Sequence, residues 1–220
     1  MVRWHTPGTE IYMKNYFLQL DELELDILKE VCNVGVGNAS IAFSKIMNSK
    51  ISLSVPSIKV IPIMKITELI GDSNTPIVAI YFKILGDSSG DLLMIFSKTS
   101  AISLIQVLLH RNITSITDLT EMEYSALREL GNIVTSAYLN ALSNMLNLAI
   151  YPSVPGIVVD LAKTAFNKVL TELKRDAGPA LILETFFEEQ QSGVQGYFYL
   201  LLDEKSIAKI LIAAKELSSP

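Results

Sequence analysis

The pattern of apolar and polar positions from residue 21 to residue 34 predicts an amphipathic helix. Asp21 is suited to cap its N-terminus, and Glu24 follows three residues later, in the spacing of a capping box. The apolar positions that cluster on one side are Ile27, Leu28 and Val31. The polar positions at i, i+4 and i+7 are Asp26, Glu30 and Asn33. At about 100° per residue, the three polar side chains fall within an arc of roughly 60°, which predicts an exposed polar ridge.

The same pattern recurs 99 positions further along the chain. Thr120 and Glu123 repeat the capping box. The repeated polar positions are Ser125, Glu129 and Asn132, and the repeated apolar positions are Leu127, Leu130 and Ile133. The offset also holds for the segments Ser54-Val55-Pro56 and Ser153-Val154-Pro155. A constant offset that includes exposed polar residues indicates an internal duplication, with repeats at 21–110 and 120–217.

The sequence predicts the same series of elements after each ridge helix. Gly35 and Gly37 are expected to end the first ridge helix and let a second helix pack closely. The elements predicted next in the first repeat are a helix at 39–47, strands at 56–63, 75–85 and 91–97, and a helix at 98–110. Those in the second repeat are a helix at 137–146, strands at 156–159, 180–188 and 195–203, and a helix at 205–217.

These elements predict an α/β (α+β) domain with pseudo-twofold symmetry. A six-stranded sheet should form one layer, and two long site-bearing helices should pack against each other or against the sheet. The strand order does not follow from the sequence. Residues 1–20 are expected to form an N-terminal arm, and 21–220 a single domain made of the two repeats.

One segment breaks the symmetry between the repeats. The second repeat contains additional residues between its first two strands, and there 161–175 has the pattern of an amphipathic helix. Its apolar positions include Leu161 and Phe166, and its cationic positions include Lys168. The helix is expected either to cover one end of the sheet or to provide a docking surface.

Composition and charge exclude several classes of function. Of the residues, 50% are hydrophobic and 19% are charged, and the net charge is −5 without a basic block, so nucleic-acid binding is not expected. No apolar run approaches a membrane span, and residues 1–16 lack the hydrophobic region of a signal peptide, so a cytoplasmic protein is expected. The single cysteine, Cys32, is predicted to be a small buried side chain. With only two histidines and no ligand spacing, we expect no metal site and no cofactor in this chain.

The two repeated signatures resemble a known pattern. The motifs Asp26-x3-Glu30-x2-Asn33-x22-Pro56 and Ser125-x3-Glu129-x2-Asn132-x22-Pro155 are similar to the double signature of the CheC/CheX/FliY family of chemotaxis phosphatases. The resemblance covers roughly residues 21–217. It implies a hydrolase of chemotaxis signal transduction that removes the aspartyl phosphate of a CheY-type response regulator, whose own site holds Mg²⁺.

The resemblance also implies roles for the ridge residues. Asn33 and Asn132 would each position a water for attack on phosphorus, and Glu30 and Glu129 would pair with the regulator's lysine. Asp26 and Ser125 would lie at the edge of the docking surface. The prolines of the two motifs, Pro56 and Pro155, are expected to shape the turn beneath the helix.

The same sequence features also allow other interpretations. The chain could be a non-catalytic binding module, either a flagellar-switch-like component or a scaffold that binds the receptor deamidase CheD. FliM-type switch domains lack the Glu/Asn pairs, which argues against the first of these. A third possibility is a protein that sequesters phosphorylated CheY without hydrolysing it. In this family a helix equivalent to 161–175 is associated with CheD, which makes Leu161, Phe166 and Lys168 candidate contacts.

Overall fold

Five helices and eight strands follow one another along the part of the chain that the computed structural model describes, namely residues 20–54, 56–69, 72–117, 119–173, 179–189 and 191–217. The helices are α1 (Glu22–Met47), α2 (Lys98–Leu109), α3 (Glu121–Leu146), α4 (Ala162–Leu173) and α5 (Glu204–Leu217). The strands are β1 (Ile51–Leu53), β2 (Ser57–Pro62), β3 (Pro76–Gly86), β4 (Gly90–Ser97), β5 (Ile150–Pro152), β6 (Gly156–Leu161), β7 (Pro179–Glu189) and β8 (Gln195–Leu202). A 3₁₀ helix spans Ile63–Leu69. The predicted arm lies outside the described residues, except for Leu20.

The strands form one antiparallel sheet in the order β1-β7-β8-β4-β3-β5, in which β2 also pairs with β7 and β6 also pairs with β3. The predicted hairpin of β3 and β4 is confirmed. At the centre of the sheet β4 pairs with β8, from Gly90 opposite Leu202 to Phe96 opposite Gly196. Each repeat pairs its first strands with the other repeat, because β1 and β2 lie against β7 whereas β5 and β6 lie against β3. The two repeats are therefore interlocked within one sheet.

A β-bulge divides each outer strand in two. Between β1 and β2 the register changes from Leu53–Phe187 to Ser57–Glu184, so one extra residue is accommodated on the outer strand. The same change separates β5 from β6. The sequence predicted six strands, and it missed β1 and β5, which lie before the predicted strand starts at residues 56 and 156. The bulge separates each of these short strands from the predicted strand that follows it.

Hydrophobic cores lie on both faces of the sheet. In β4 the side chains of Leu92, Met94 and Phe96 enter the core that is covered by α1, α2, α3 and α5. Leu93 and Ile95 enter the second core, which α4 and the 3₁₀ helix cover. The alternation follows from the period of two along a strand. Because both faces are buried, these strands appear in the sequence as nearly continuous hydrophobic runs.

Both ridge helices are longer than the sequence indicated. The predicted breaks near residues 34 and 136 are wrong, since α1 and α3 each continue for 26 residues. Asn48 and Asn147 end them in the left-handed conformation. A glycine inside a helix costs about 1 kcal/mol relative to alanine, and the packing of α1 along α3 outweighs that cost.

Gly35 has a packing function instead of ending a helix. A Cβ atom on Gly35 would lie 2.7 Å from the ring of Tyr138 in α3, which is closer than side-chain atoms approach one another. The absence of a side chain at this position allows α1 and α3 to pack closely around that ring. The separation of the two ridge helices therefore depends on Gly35.

The amphipathic helix predicted in the second repeat corresponds to α4. Its residues Ala165, Phe166 and Val169 are buried in the second core, so α4 covers that face of the sheet, as one of the two interpretations expected. Residues 174 and 175 of the predicted helix lie outside the described residues. Among the helices of the described chain, none combines the length and the apolar character needed to cross a bilayer.

Candidate functional site

The first candidate site lies on the exposed side of α1. Glu30 and Asp26 are exposed and Asn33 is half-buried. The helix begins at a capping box, in which the Asp21 carboxylate accepts a hydrogen bond from the backbone N–H of Glu24 at 2.8 Å. On the opposite side Leu28 is fully buried, which fixes the rotation of the helix about its axis. The local sequence thus determines which residues face solvent.

The second candidate site occupies the equivalent positions on α3. Glu129 and Ser125 are exposed and Asn132 is half-buried, as in the first copy. The Glu123 carboxylate accepts hydrogen bonds from the hydroxyl and the backbone N–H of Thr120, the latter at 2.8 Å. The hydroxyl of Thr120 is the main cause that lowers the pKa of Glu123.

The polar side chains of the two ridges are available to a partner. Within the described part of the chain, Glu30, Asn33, Glu129 and Asn132 form no hydrogen bond or ion pair with other side chains. They also do not line the cavities of about 320 Å³ and about 560 Å³ found elsewhere in the molecule. Neither site is therefore enclosed in one of these two cavities, and each lies on a helix surface that a second protein can approach.

The cations beside the two ridges have different partners. Lys29 pairs with Asp26 at 3.1 Å, one turn away on the same helix. Arg128, at the equivalent position of α3, pairs with Glu121 at 2.8 Å and lies over the ring of Tyr124. The second copy has a serine where the first has Asp26, so its cation pairs with Glu121 in the first turn of α3 instead.

The repeated Ser-x-Pro segments mark the bulges of the outer strands. The hydroxyls of Ser54 and Ser153 each accept a backbone N–H from the adjacent strand at 2.9 Å. Pro56 is buried and Pro155 is half-buried. The duplicated prolines thus belong to the change of strand register that follows each ridge helix.

Cys32 lies next to Asn33 but faces the core, as predicted. Burial raises the pKa of its thiol to about 12, although a hydrogen bond with Tyr138 acts in the opposite direction. The thiol is therefore protonated at neutral pH and is not a nucleophile.

One expectation about the second ridge is wrong. Ile133 was placed with the apolar side of the helix, but 39% of it is exposed, whereas Leu127 and Leu130 are buried. Four residues separate Glu129 from Ile133, which places them about 40° apart around the helix axis. Ile133 therefore belongs to the exposed ridge.

The candidate contacts on α4 differ in accessibility. Leu161, just before the helix, is 42% exposed, but Phe166 is only 1% exposed. The Lys168 ammonium pairs with Asp160 at 2.7 Å. A partner on this surface would contact the exposed Lys163 and Lys168 rather than Phe166.

The chemistry of each ridge is limited to positioning. An amide can donate and accept hydrogen bonds simultaneously and so can orient a water, and a carboxylate can form a charge-assisted pair with a cation. Neither group serves as a nucleophile by itself here. Among the described residues no cluster of three or more His, Cys, Asp or Glu side chains could hold a metal ion.

Comparisons with known proteins agree with this arrangement. Residues 122–159, which include Glu129, Asn132 and Pro155, match the model of the CheC-like family. The CheY-P phosphatase CheC of Bacillus subtilis (strain 168) is 31% identical over 201 residues, which cover 90% of this chain and 96% of that protein.

Two solved structures have the same fold. FliY of Thermotoga maritima matches with a TM-score of 0.71 and 17% identity, covering 90% of this chain and 98% of that one. The FliM middle domain of H. pylori matches with a TM-score of 0.64 and 13% identity, covering 88% of this chain and 99% of that one. This fold is thus shared with both FliY and the FliM middle domain.

Proposed function

This chain belongs to the CheC-like family, and from that premise we propose that it is a phosphatase of a phosphorylated CheY-type response regulator. The observation that supports this most directly is the presence of two Glu/Asn pairs at equivalent positions of α1 and α3, each with an exposed glutamate and a half-buried asparagine. Within the described chain the side chains of each pair form no hydrogen bond or ion pair with other side chains, and a docked protein can reach them. Packing alone does not account for the repetition of these polar residues.

The proposed reaction is hydrolysis of an aspartyl phosphate on the partner. The amides of Asn33 and Asn132 each hold a water in line with the bond from phosphorus to the aspartate oxygen. The water oxygen bonds to phosphorus, the bond to the aspartate oxygen breaks, and both hydrogens of the water leave with the phosphate as dihydrogen phosphate, so that a free carboxylate remains on the regulator. Mg²⁺ held in the regulator's own site would neutralise charge on the phosphoryl oxygens. Catalysis by this chain then consists of orientation.

The glutamates determine how the regulator docks. Glu30 and Glu129 each form a charge-assisted pair with the lysine of the regulator's active site. Asp26 and Ser125 lie one turn earlier, at the edge of the contact. Because Asp26 pairs with Lys29 and Ser125 cannot bind its neighbouring cation in this way, the two sites present different charge to the regulator.

The decay of a phosphorylated CheY-type regulator tests this proposal. The regulator is phosphorylated with a small phosphodonor, and its decay is followed with the wild-type chain, Asn33→Ala, Asn132→Ala and the double variant. Asn38→Ala and Asn144→Ala are matched controls, because both amides are exposed and lie more than 100° around their helices from the ridge amides. We expect the double variant to return decay to the spontaneous rate and the controls to behave as wild type.

Binding is measured with the same variants and a regulator activated by beryllofluoride. We expect the double variant to bind within about threefold of wild type, since the amides act on the water. A double variant that still accelerates decay would refute the assigned roles. If the wild-type chain slows decay, it sequesters the regulator. If it neither binds nor accelerates decay, the chain is a non-catalytic module such as the flagellar-switch type.

A second partner, CheD, is proposed for the exposed side of α4. The cations Lys163 and Lys168 on that side are accessible, although Lys168 also pairs with Asp160. Lys163→Glu combined with Lys168→Glu should weaken binding of CheD at least tenfold, with Lys45→Glu on α1 as a control. Unchanged affinity of the double variant would remove CheD from this surface.

A further inference from the structure

Each ridge carries two large apolar side chains that the core does not use. On α1 these are Leu23, 65% exposed, and Val34, 38% exposed. On α3 they are Met122, 57% exposed, and Ile133, 39% exposed. The two pairs lie at the same offset as the Glu/Asn pairs, and their exposure agrees closely between the copies. The duplication has therefore retained exposed apolar side chains where a core requirement would have buried them.

The geometry places a glutamate between each apolar pair. Leu23, Glu30 and Val34 fall within about 40° around the axis of α1, at 100° per residue. Eleven residues separate Leu23 from Val34, a distance of about 16 Å along the helix. The same relation holds on α3. A carboxylate is thus flanked at both ends by apolar surface on one line along the helix.

We propose that these apolar pairs are the main affinity contacts for the phosphorylated receiver domain, with one receiver bound along each ridge. This inference rests on the function proposed above and adds the residues that bind the partner. An ion pair that is covered on docking loses its hydration, and that cost offsets much of its Coulomb attraction. Burial of large apolar side chains contributes in proportion to the area removed from water. Glu30 and Glu129 then determine the docking position of the receiver along each helix. The four apolar side chains on either side of them, Leu23, Val34, Met122 and Ile133 (the flank residues), supply the affinity.

The choice of occupant follows from position. The flank residues share the line of the docking carboxylate in both copies, so a protein that lies along α1 over Glu30 also covers Leu23 and Val34. A binding site for an unrelated partner would not have to repeat in register with both glutamates. The receiver domain is therefore the occupant that explains the repetition on α1 and on α3.

The chain also provides a matched control. Ile212 on α5 is 60% exposed and lies away from both ridge lines, since it lines the cavity between α3 and α5. It is apolar, exposed and helical, as the flank residues are. Ile41 on α1, 58% exposed, is unsuitable as a control, because at 100° per residue it lies at the same angle around the helix as Leu23.

The test compares a flank variant with a control variant. The flank variant combines Leu23→Ser, Val34→Ser, Met122→Ser and Ile133→Ser. The control is Ile212→Ser. Affinity is measured for a receiver domain activated by beryllofluoride, and kcat and KM for the phosphorylated receiver. The flank variant should raise Kd and KM ten- to a hundredfold and leave kcat within threefold, and the control should match wild type.

Several outcomes would overturn the inference. If the wild type binds and accelerates decay but the flank variant has an unchanged Kd, the inference fails while the proposed function stands. A fall in kcat without a change in Kd would also contradict it. If the variant changes only self-association in light scattering, the flanks join two copies of this chain. If the wild type neither binds nor accelerates decay, both proposals fail together.

Folding of the variants is checked independently. Thermal unfolding followed by circular dichroism should stay within a few degrees of wild type, because all four side chains are substantially exposed. The two-residue variants Leu23→Ser/Val34→Ser and Met122→Ser/Ile133→Ser are each made in a background in which the other ridge's asparagine is alanine, so that only the altered ridge turns over. Their KM values then assign the effect to one ridge at a time. A change of less than twofold in KM in both variants would refute the role.

Discussion

Glu189 provides a test of one buried contact between the two repeats. Its carboxylate is 1% exposed at the end of β7. The hydroxyl of Ser49, which follows α1, donates to it, as do the backbone N–H of Gln191 at 2.9 Å and the N–H and hydroxyl of Ser192 at 2.5 Å each. Burial alone would raise the pKa of Glu189, but these donors outweigh it and lower the pKa from 4.5 to about 2. The ionised form is therefore specifically stabilised by folding.

The magnitude follows from this lowered pKa. At about 1.4 kcal/mol per pKa unit, ionised Glu189 contributes about 3 kcal/mol to the free energy of unfolding at neutral pH. Because the folded pKa is lowered, the contribution is complete above the unfolded value of 4.5 and is lost as pH falls toward about 2. About 2 kcal/mol of it should be gone at pH 3.

The assay is urea unfolding of the wild type and Glu189→Gln, followed by circular dichroism at pH 7 and pH 3. The variant should be less stable by about 3 kcal/mol at pH 7, and the difference should shrink by about 2 kcal/mol at pH 3. Glu188→Gln is the control, because this neighbouring carboxylate is exposed. An effect of Glu189→Gln that is the same at both pH values, or no larger than that of the control, would refute the reasoning.

Two further predictions concern the interface between α1 and α3. Gly35→Ala should lower the free energy of unfolding by about 1–3 kcal/mol in urea, because the added Cβ would overlap the buried ring of Tyr138. Gly37→Ala, which meets nothing within 4 Å, should instead raise it by about 0.5–1 kcal/mol through helix propensity; equal effects would contradict the packing argument. Because burial raises the pKa of Cys32 to about 12, a disulfide reagent at pH 8 should label the native thiol about a thousandfold more slowly than the unfolded one. Rapid labelling of folded protein would show that the thiol is accessible.

Local sequence was enough to predict the ridge helices and their polar residues. The capping boxes at Asp21 and Thr120 use hydrogen bonds within four residues, and the polar stripe follows from the helical period alone. The duplication was visible because it repeats at a constant offset. The positions of Glu30 and Asn33 toward solvent therefore follow from the sequence without knowledge of the fold.

Interactions between distant residues decided the rest. The strand exchange between repeats, the bulges before β2 and β6, and the continuation of α1 through Gly35 all depend on contacts that no local pattern contains. The exposure of Ile133 belongs to the same class, since an isoleucine is buried only if another element packs over it. Sequence periodicity states which residues share a face, and tertiary packing decides how much of that face is covered.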